Sequence, residues 1–291
     1  MPPAHVVSKP RPPFTTSSGK LEVHQVPVAR DNLAWIIVDR AAQEAAVVDG
    51  PDARAVLDYC AAEGVRLTAV INTHTHGDHI GVNLDLRRRG LLAGMRVIGP
   101  KRAAADVPGI NEPVDDGDRV RFGPVEGAVM LTEGHINGHV SYLFEDVLFC
   151  GDTLFAAGCG YLFDGPPAKM HASLQRLAAL DPATRVCCAH EYTQDNLRFA
   201  WSVDPDNAQL AARIREVWRV RGEGGCVVPS TIAEERATNP FLRGDDPGLR
   251  ARVAAAMPGR DLKDTCSVFA ATRALKDRKD YRSLSDADLP L

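Results

Sequence analysis

The chain has 291 residues, of which 45% are hydrophobic and 25% charged, and this suits a soluble globular protein with one large and one smaller domain. Its net charge of −4 argues against nucleic-acid binding, and no apolar run reaches the roughly 18 residues that cross a bilayer. Seven cysteines without a Cys-x-x-Cys pair predict neither a disulfide framework nor a thiolate zinc site, and we expect a cytoplasmic protein.

Residues 1–20 are rich in Pro, Ser and Thr and contain no acidic side chain. They have no apolar h-region, so a secretory signal is not predicted. We expect a disordered N-terminal tail. Organelle targeting is the alternative, and the scarcity of arginine counts against it.

The part from residue 21 to about 195 alternates short β-rich runs with a few helical patterns, and the part after it is helical throughout. Strands are predicted over 33–39, 45–49, 67–72, 95–99, 127–134, 140–144, 147–151 and 185–190. Helices are predicted over 51–64, 83–89 and 168–180. From Thr193 the sequence is rich in Ala and Arg with helical periodicity, so we place a domain boundary between 21–195 and 196–291.

Histidine and aspartate side chains follow directly after four of the predicted strands. They are His74, His76, Asp78 and His79 after 67–72, His135 after 127–134, Asp152 after 147–151, and His190 at the end of 185–190. Ligands of sheet-based α/β proteins gather at the carboxyl ends of strands, where loops converge. One rim of a sheet can therefore collect all these donors.

The donor types favour a catalytic metal site. Imidazole and carboxylate without thiolate suit zinc, iron or manganese, whereas closed structural zinc sites are usually richer in cysteine. The donors exceed what one tetrahedral ion uses, and they fit two ions that share a carboxylate and a bridging water. We expect His139 to support the ligands rather than bind metal, and His5, His24 and His171 to be ordinary polar residues.

The motif THTHGDH at 73–79 resembles the signature of the metallo-β-lactamase superfamily. Within it the chain most closely resembles the glyoxalase II family, the hydroxyacylglutathione hydrolases, from about residue 21 to residue 277. TEGHINGHVSY, LFCGDTLF, GCG at 158–160, AHEYTQDNLRF and NPFLR follow in that family's order. The resemblance implies an α/β fold, a four-layer αββα sandwich followed by a C-terminal helical substrate-binding domain.

The resemblance also implies a ligand set for two divalent ions per chain, zinc foremost and iron or manganese as alternatives. One ion would be held by His74, His76 and His135, and the other by Asp78, His79 and His190, with Asp152 bridging. Of these residues, Asp78 and Asp152 are also the expected catalytic residues.

On the substrate side, the resemblance implies glutathione contacts from Tyr192 and from Arg273 and Lys276 of ATRALKD. Three positions depart from the family pattern, and we expect a small effect from the first and weaker or altered thiol binding from the others. They are Val82 in place of a second glycine after the metal motif, Tyr161 in place of lysine after GCG, and Phe163 in place of tyrosine.

The expected reaction is hydrolysis of S-2-hydroxyacylglutathione, typically S-D-lactoylglutathione, by a hydroxide held between the two metals. The leaving thiol has a pKa of about 8.5, so no dedicated general acid is needed. The expected partner is this substrate, with no nucleic acid, membrane or obligate protein partner. The alternatives are a mononuclear-iron glutathione-persulfide dioxygenase, which typically lacks the long C-terminal helical part, a trypanothione-thioester hydrolase, a nuclease, a secreted β-lactamase, and a metal-binding protein without turnover.

Overall fold

The computed structural model describes residues 4–291, which form two β-sheets packed face to face. The first sheet consists, in spatial order, of β1 (Phe14–Thr15), β2 (Glu22–Val28), β3 (Asn32–Asp39), β4 (Glu44–Val48), β5 (Arg66–Ile71), β6 (Arg96–Pro100) and β7 (Glu112–Val114). The second consists of β8 (Arg119–Phe122), β9 (Val125–Leu131), β10 (Val140–Phe144), β11 (Val147–Gly151), β14 (Arg185–Cys188) and β15 (Ser230–Thr231). A separate hairpin is formed by β12 (Leu154–Phe155) and β13 (Gly158–Cys159).

Residues 4–291 also form eight α-helices. They are α1 (Arg54–Ala62), α2 (Gly77–Arg88), α3 (Pro167–Ala178), α4 (Thr193–Val203), α5 (Ala208–Gly222), α6 (Ile232–Thr238), α7 (Pro247–Ala256) and α8 (Thr265–Arg278), together with short 3-10 turns at Lys101–Asp106, Asp280–Ser283 and Asp286–Asp288. None of the helices within residues 4–291 is long and apolar enough to span a membrane.

The layering follows from the alternation of side chains along β3. Leu33, Trp35 and Ile37 belong to the apolar layer between the two sheets, whereas Ala34 and Ile36 face the opposite side. The opposite side is covered by α1 and α2, and α3 packs against the apolar residues of the second sheet. The result is the expected αββα order of layers.

Strand directions bring several carboxyl ends to one rim. In the first sheet β1 to β4 are antiparallel and β4 to β7 parallel. In the second, β9 and β11 both run antiparallel to β10, and β14 runs parallel to β11. The carboxyl ends of β9, β11 and β14 therefore point the same way, as the clustering of donors requires.

The helical region begins at α4, close to the predicted boundary near residue 195. A later segment nevertheless returns to the second sheet, where Ser230 of β15 pairs with Val186 of β14. The two regions thus share a sheet, and the division into domains 21–195 and 196–291 remains a proposal.

Residues 4–20 differ from the expected disordered tail, of which residues 1–3 lie outside the described part. Phe14 of β1 pairs with Val23 of β2, and the Val7 side chain is buried. The Arg185 guanidinium lies 4.3 Å from the centre of the Phe14 ring. These contacts hold residues 4–20 against the rest of the chain, which the composition of the segment did not predict.

The helix that carries part of the donor motif begins earlier than predicted. The sequence predicts a helix over 83–89, but α2 spans Gly77–Arg88, with His76 as its N-cap residue. Gly77 and Gly81 are poor helix formers, and this concealed the first turns. A Cβ added at Gly81 would lie 1.9 Å from the Pro51 carbonyl oxygen, so glycine is required there.

Candidate active site

The seven predicted donors meet at one rim, after β5, β9, β11 and β14. Of the three groups whose ligand atoms lie within 4.8 Å of one another in the described residues, two consist entirely of these donors. They are His74, His76, His135 and Asp152, and Asp78, His79 and His190. The side chains that follow the predicted strands therefore lie close together in the folded chain.

The first group converges on the Nδ1 atom of His76. This atom lies 3.2 Å from His74 Nε2 and 3.0 Å from His135 Nε2. Asp152 Oδ2 lies 3.4 Å from His135 Nε2. Three imidazole nitrogens and one carboxylate oxygen thus face a common point, which suits a tetrahedral cation.

The second group uses the other oxygen of the same carboxylate. Asp152 Oδ1 lies 3.4 Å from His79 Nε2 and 3.5 Å from His190 Nε2. Asp78 Oδ2 lies 3.3 Å from His190 Nε2. Because its two oxygens face different groups, Asp152 has the position of a bridge.

Two further carboxylates fix the orientation of the histidines in the second group. Asp49 Oδ2 accepts a hydrogen bond from His79 Nδ1 at 2.9 Å, and Asp31 Oδ1 accepts one from His190 Nδ1 at 3.0 Å. Each bond turns the Nε2 atom of its imidazole toward the cluster. Neither role was predicted from the sequence. Asp49 follows β4 as the other donors follow strands, whereas Asp31 lies in a turn without any distinguishing pattern.

His139 lies beneath the cluster and is fully buried. Its Nε2 accepts a hydrogen bond from the Asp152 backbone N–H at 3.2 Å, and its Nδ1 lies 3.0 Å from Thr132 Oγ1. Gly151, with φ +47°, would place an added Cβ 2.7 Å from His139 Nε2. His139 thus supports the backbone that presents Asp152, in agreement with the role predicted for it.

Two buried atoms in the cluster fit a bound cation. His79 Nε2 and Asp152 Oδ1 have no hydrogen-bond partner among residues 4–291, and such orphaned groups are costly unless an ion or water satisfies them. Although burial opposes it, the Asp152 and Asp31 carboxylates raise the pKa of His190 to about 9. The carboxylates therefore favour positive charge at this position, which a proton or a metal can supply.

In the first group, burial keeps His74 and His135 in the neutral imidazole form that binds metal. Burial lowers the pKa of His74 well below its ordinary value, and neighbouring His79 lowers it further. Burial alone would raise the pKa of Asp152, but His79 and His190 hold it well below the ordinary value. The first group thus combines a neutral His74 nitrogen with an ionised Asp152 carboxylate, the forms in which catalytic zinc, iron and manganese sites bind their ions.

A cleft of about 440 Å³ opens beside the donor cluster. The Tyr192 ring stacks on His190 with centroids 4.6 Å apart and planes 7° apart. Tyr161, Arg273 and Lys276 also line this cleft. The residues predicted to contact substrate therefore adjoin the donors.

Arg273 and Lys276 lie on α8 and are almost entirely buried. Arg273 Nη1 donates to the Cys159 carbonyl oxygen at 3.2 Å, and its Nε donates to Asp277 at 3.0 Å. Lys276 Nζ donates to Asn196 Oδ1 at 2.6 Å. Both cations reach the cleft wall while engaged with the protein.

Phe163 lies at the mouth of the site, 61% exposed. Its ring centre is 5.1 Å from that of His76 and 5.3 Å from that of His135, and Tyr161 packs edge-on against it at 4.8 Å. The two departures from the family pattern therefore form an exposed aromatic pair beside the first donor group.

The architecture and the donor cluster place the chain in a class. Residues 33–190 match the model of the metallo-beta-lactamase superfamily. The fold is similar to ETHE1 from Myxococcus xanthus, with 24% identity, a TM-score of 0.56, and coverage of 91% of this chain and 98% of that chain. It is also similar to the BLEG-1 B3 metallo-beta-lactamase, with 22% identity, a TM-score of 0.57, and coverage of 76% and 99%.

The C-terminal region and the curated relatives define the family. Residues 191–279 match the model described as hydroxyacylglutathione hydrolase C-terminus. The chain is 44% identical over 259 residues to the hydroxyacylglutathione hydrolase of Methylococcus capsulatus, covering 88% of this chain and 98% of the relative. For the enzyme of that name from Gloeobacter violaceus, identity is 45% over 258 residues, with 88% and 99% covered. The chain belongs to the hydroxyacylglutathione hydrolase family, and the dioxygenase alternative is not favoured.

Proposed function

We propose that this chain hydrolyses S-2-hydroxyacylglutathione thioesters, typically S-D-lactoylglutathione, to a 2-hydroxy acid and glutathione. One observation carries the proposal. In this member of the family, a cluster of side chains suited to bind metal lies beside a cleft that is lined by Arg273 and Lys276. A thioester in that cleft would have its acyl carbon close to the donors and its thiol carrier along α8.

The proposed ligands of one divalent cation are His74, His76 and His135, and those of the other are Asp78, His79 and His190. Asp152 would lie between them, in keeping with its two oxygens facing different groups. We take zinc as the first candidate, while iron and manganese accept the same donors.

Bound divalent cations would supply an activated water near neutral pH and positive charge for the developing oxyanion. The protein's own residues hold the donors rigid. Asp49 and Asp31 keep His79 and His190 oriented, and His139 supports the backbone of Asp152. No side chain is needed as a general acid, because the leaving thiol has a pKa of about 8.5 and can depart as the thiolate without being protonated.

The thiol carrier would lie against Tyr192, Arg273 and Lys276. Tyr192 offers an aromatic face fixed by stacking on His190, and the two α8 cations provide a positive wall for carboxylates. Tyr161 and Phe163 would contact the substrate at the open side.

The test combines metal analysis with thioester loss. Purified protein should bind about two divalent ions per chain and hydrolyse S-D-lactoylglutathione faster than the corresponding trypanothione ester. Asp152→Ala should abolish hydrolysis and lower bound metal, whereas Asp58→Ala, which changes an exposed acid on α1, should alter neither. Full activity with full metal content in Asp152→Ala would contradict the bridging assignment.

A further inference from the structure

Arg273 and Lys276, the two cations that the family resemblance assigns to substrate binding, are largely buried in the wall of the cleft. The side chains of Arg273 and Lys276 are only 7% and 9% exposed. Arg273 is engaged by Asp277 and by the Cys159 carbonyl, and Lys276 by Asn196. A substrate carboxylate that stays near solvent needs an additional, more accessible donor.

Arg282, in the 3-10 turn after α8, has that accessibility, with a side chain 55% exposed. Its Nε donates to Asp195 Oδ1 at 3.2 Å, and its guanidinium lies 5.8 Å from the Tyr281 ring centre. Tyr281 in turn donates to Asp195 Oδ2 at 2.6 Å. These contacts fix the base of the guanidinium, while no hydrogen bond joins its two terminal nitrogens to a carboxylate in the described range 4–291.

Arg282 also has the right place. It lines the cleft beside Tyr192 and the adjoining pocket that contains Tyr161 and Phe163. The charged side chains of that adjoining pocket are the cations Arg273, Lys276, Lys279 and Arg282 and the acids Asp195 and Asp277. Positive charge is therefore in excess on this side, although position 161 contributes none.

We propose that Arg282 binds a carboxylate of the thiol carrier through its terminal guanidinium nitrogens and thereby selects glutathione over carriers whose carboxylates are amidated. The inference rests on the proposed thioester hydrolysis. A planar guanidinium held at Nε presents its two remaining nitrogens as a fork, the geometry that grips a carboxylate bidentately. Lys279, which lines the same pocket, adds to the preference for an anion.

The competing explanation is that Arg282 only braces Asp195, which also faces Lys276 Nζ at 3.7 Å. A bracing role predicts a loss of stability and an effect on every thioester alike. A recognition role predicts an effect limited to substrates that carry the recognised carboxylate, and one that weakens as added salt screens the charges.

The variants are Arg282→Gln and Arg282→Lys, with Arg278→Gln as the matched control. Arg278 is similarly exposed, at 52%, but it pairs with Asp280 and lines a different cavity. With S-D-lactoylglutathione, Arg282→Gln should raise KM about fivefold with kcat retained, which is the size of a strong exposed ion pair. Arg282→Lys should recover part of that loss, and Arg278→Gln should leave KM unchanged.

Two substrate analogues identify the carboxylate. One is the lactoyl thioester of glutathione glycinamide, and the other has 4-aminobutyrate in place of the γ-glutamyl residue. The KM difference between wild type and Arg282→Gln should vanish for one analogue, which names the carboxylate that Arg282 binds. A difference that persists with both analogues, or no difference with the native ester, overturns the proposal. Failure of the wild type to hydrolyse any of the three esters would instead count against the proposed function.

Discussion

Val82, which replaces a glycine of the family pattern just after the metal motif, is accommodated by packing. Its side chain is fully buried in the layer between α2 and the first sheet. It faces Gly50, where an added Cβ would lie 2.9 Å from Val82 Cγ2. The valine therefore points away from the donors, and the glycine that the helix requires is Gly81, against Pro51.

Val82→Gly should accordingly destabilise the protein without changing its chemistry. Loss of a buried valine and gain of a helical glycine should lower the free energy of unfolding by about 3 kcal/mol. Urea unfolding measures this, while metal content and kcat of the folded enzyme should match wild type. Gly81→Ala is the contrasting variant, since its Cβ would meet the Pro51 carbonyl and displace α2 together with Asp78 and His79. A drop in metal content in Val82→Gly would mean that packing here does position the ligands.

Lys276 should make substrate binding sensitive to pH. Burial lowers the pKa of its ammonium to about 8, against the opposing effect of Asp195 and with a further lowering by Arg273. Cys159 raises this pKa and Arg282 lowers it. Below pH 8 the ammonium is charged, and as the pH rises through this value the charge is lost.

The expected result is a KM for the glutathione thioester that rises above pH 8. The α-amino group of the substrate titrates in a similar range, so Lys276→Arg provides the comparison, because arginine stays charged. The variant's KM should rise less than that of wild type between pH 7 and about 9. Identical profiles would place the titration in the substrate and remove Lys276 from carboxylate binding.

The hairpin of β12 and β13 connects the donor cluster to the helical region. It starts two residues after Asp152 and is held by side chains of later helices. Asn196 Nδ2 donates to the Ala156 carbonyl at 3.0 Å, and Glu235 Oε2 accepts from the Ala157 N–H at 2.8 Å. Because Asn196 also accepts from Lys276, one amide joins the hairpin to a cation of the cleft.

Glu235→Ala should weaken both stability and substrate binding. The variant removes the buried partner of Arg213, whose Nη2 donates to Glu235 at 2.6 Å, and leaves this cation only the more exposed carboxylate of Glu234 at 3.3 Å. Loss of a buried partner costs up to about 3–5 kcal/mol. KM should rise, since the hairpin carries the Cys159 carbonyl that orients Arg273. Glu235→Gln keeps an oxygen for the Ala157 N–H and should restore KM more than stability. If Glu235→Gln restored KM and stability to the same extent, the contact with the hairpin would be purely structural. Metal content should be unchanged in either variant.

At the scale of the whole molecule, the sequence predicted those site residues that follow directly after a strand. His135, Asp152 and His190 each follow an apolar run, so their meeting could be predicted from topology alone. Asp31 and Glu235 carried no such signal, because a single acid in a turn or helix resembles any solvated acid. Their partners are distant in the chain, 159 residues for Asp31 and His190 and 78 for Glu235 and Ala157, and only the folded chain brings them together.

Because the donors are distant in the chain, bound metal ions would stabilise the whole fold. Donors from four separate loops meet at one rim, so a cation that binds them ties both sheets together and binds only the folded chain. Removal of metal by a chelator should lower the unfolding temperature by about 10 °C, as expected if ions at a large excess over Kd contribute some 4 kcal/mol. Asp152→Ala should unfold at a lower temperature than wild type and respond less to the chelator, while Asp58→Ala should behave as wild type. Re-addition of zinc should restore both the unfolding temperature and thioester hydrolysis. A chelated protein that loses activity at an unchanged unfolding temperature would limit the metals to chemistry.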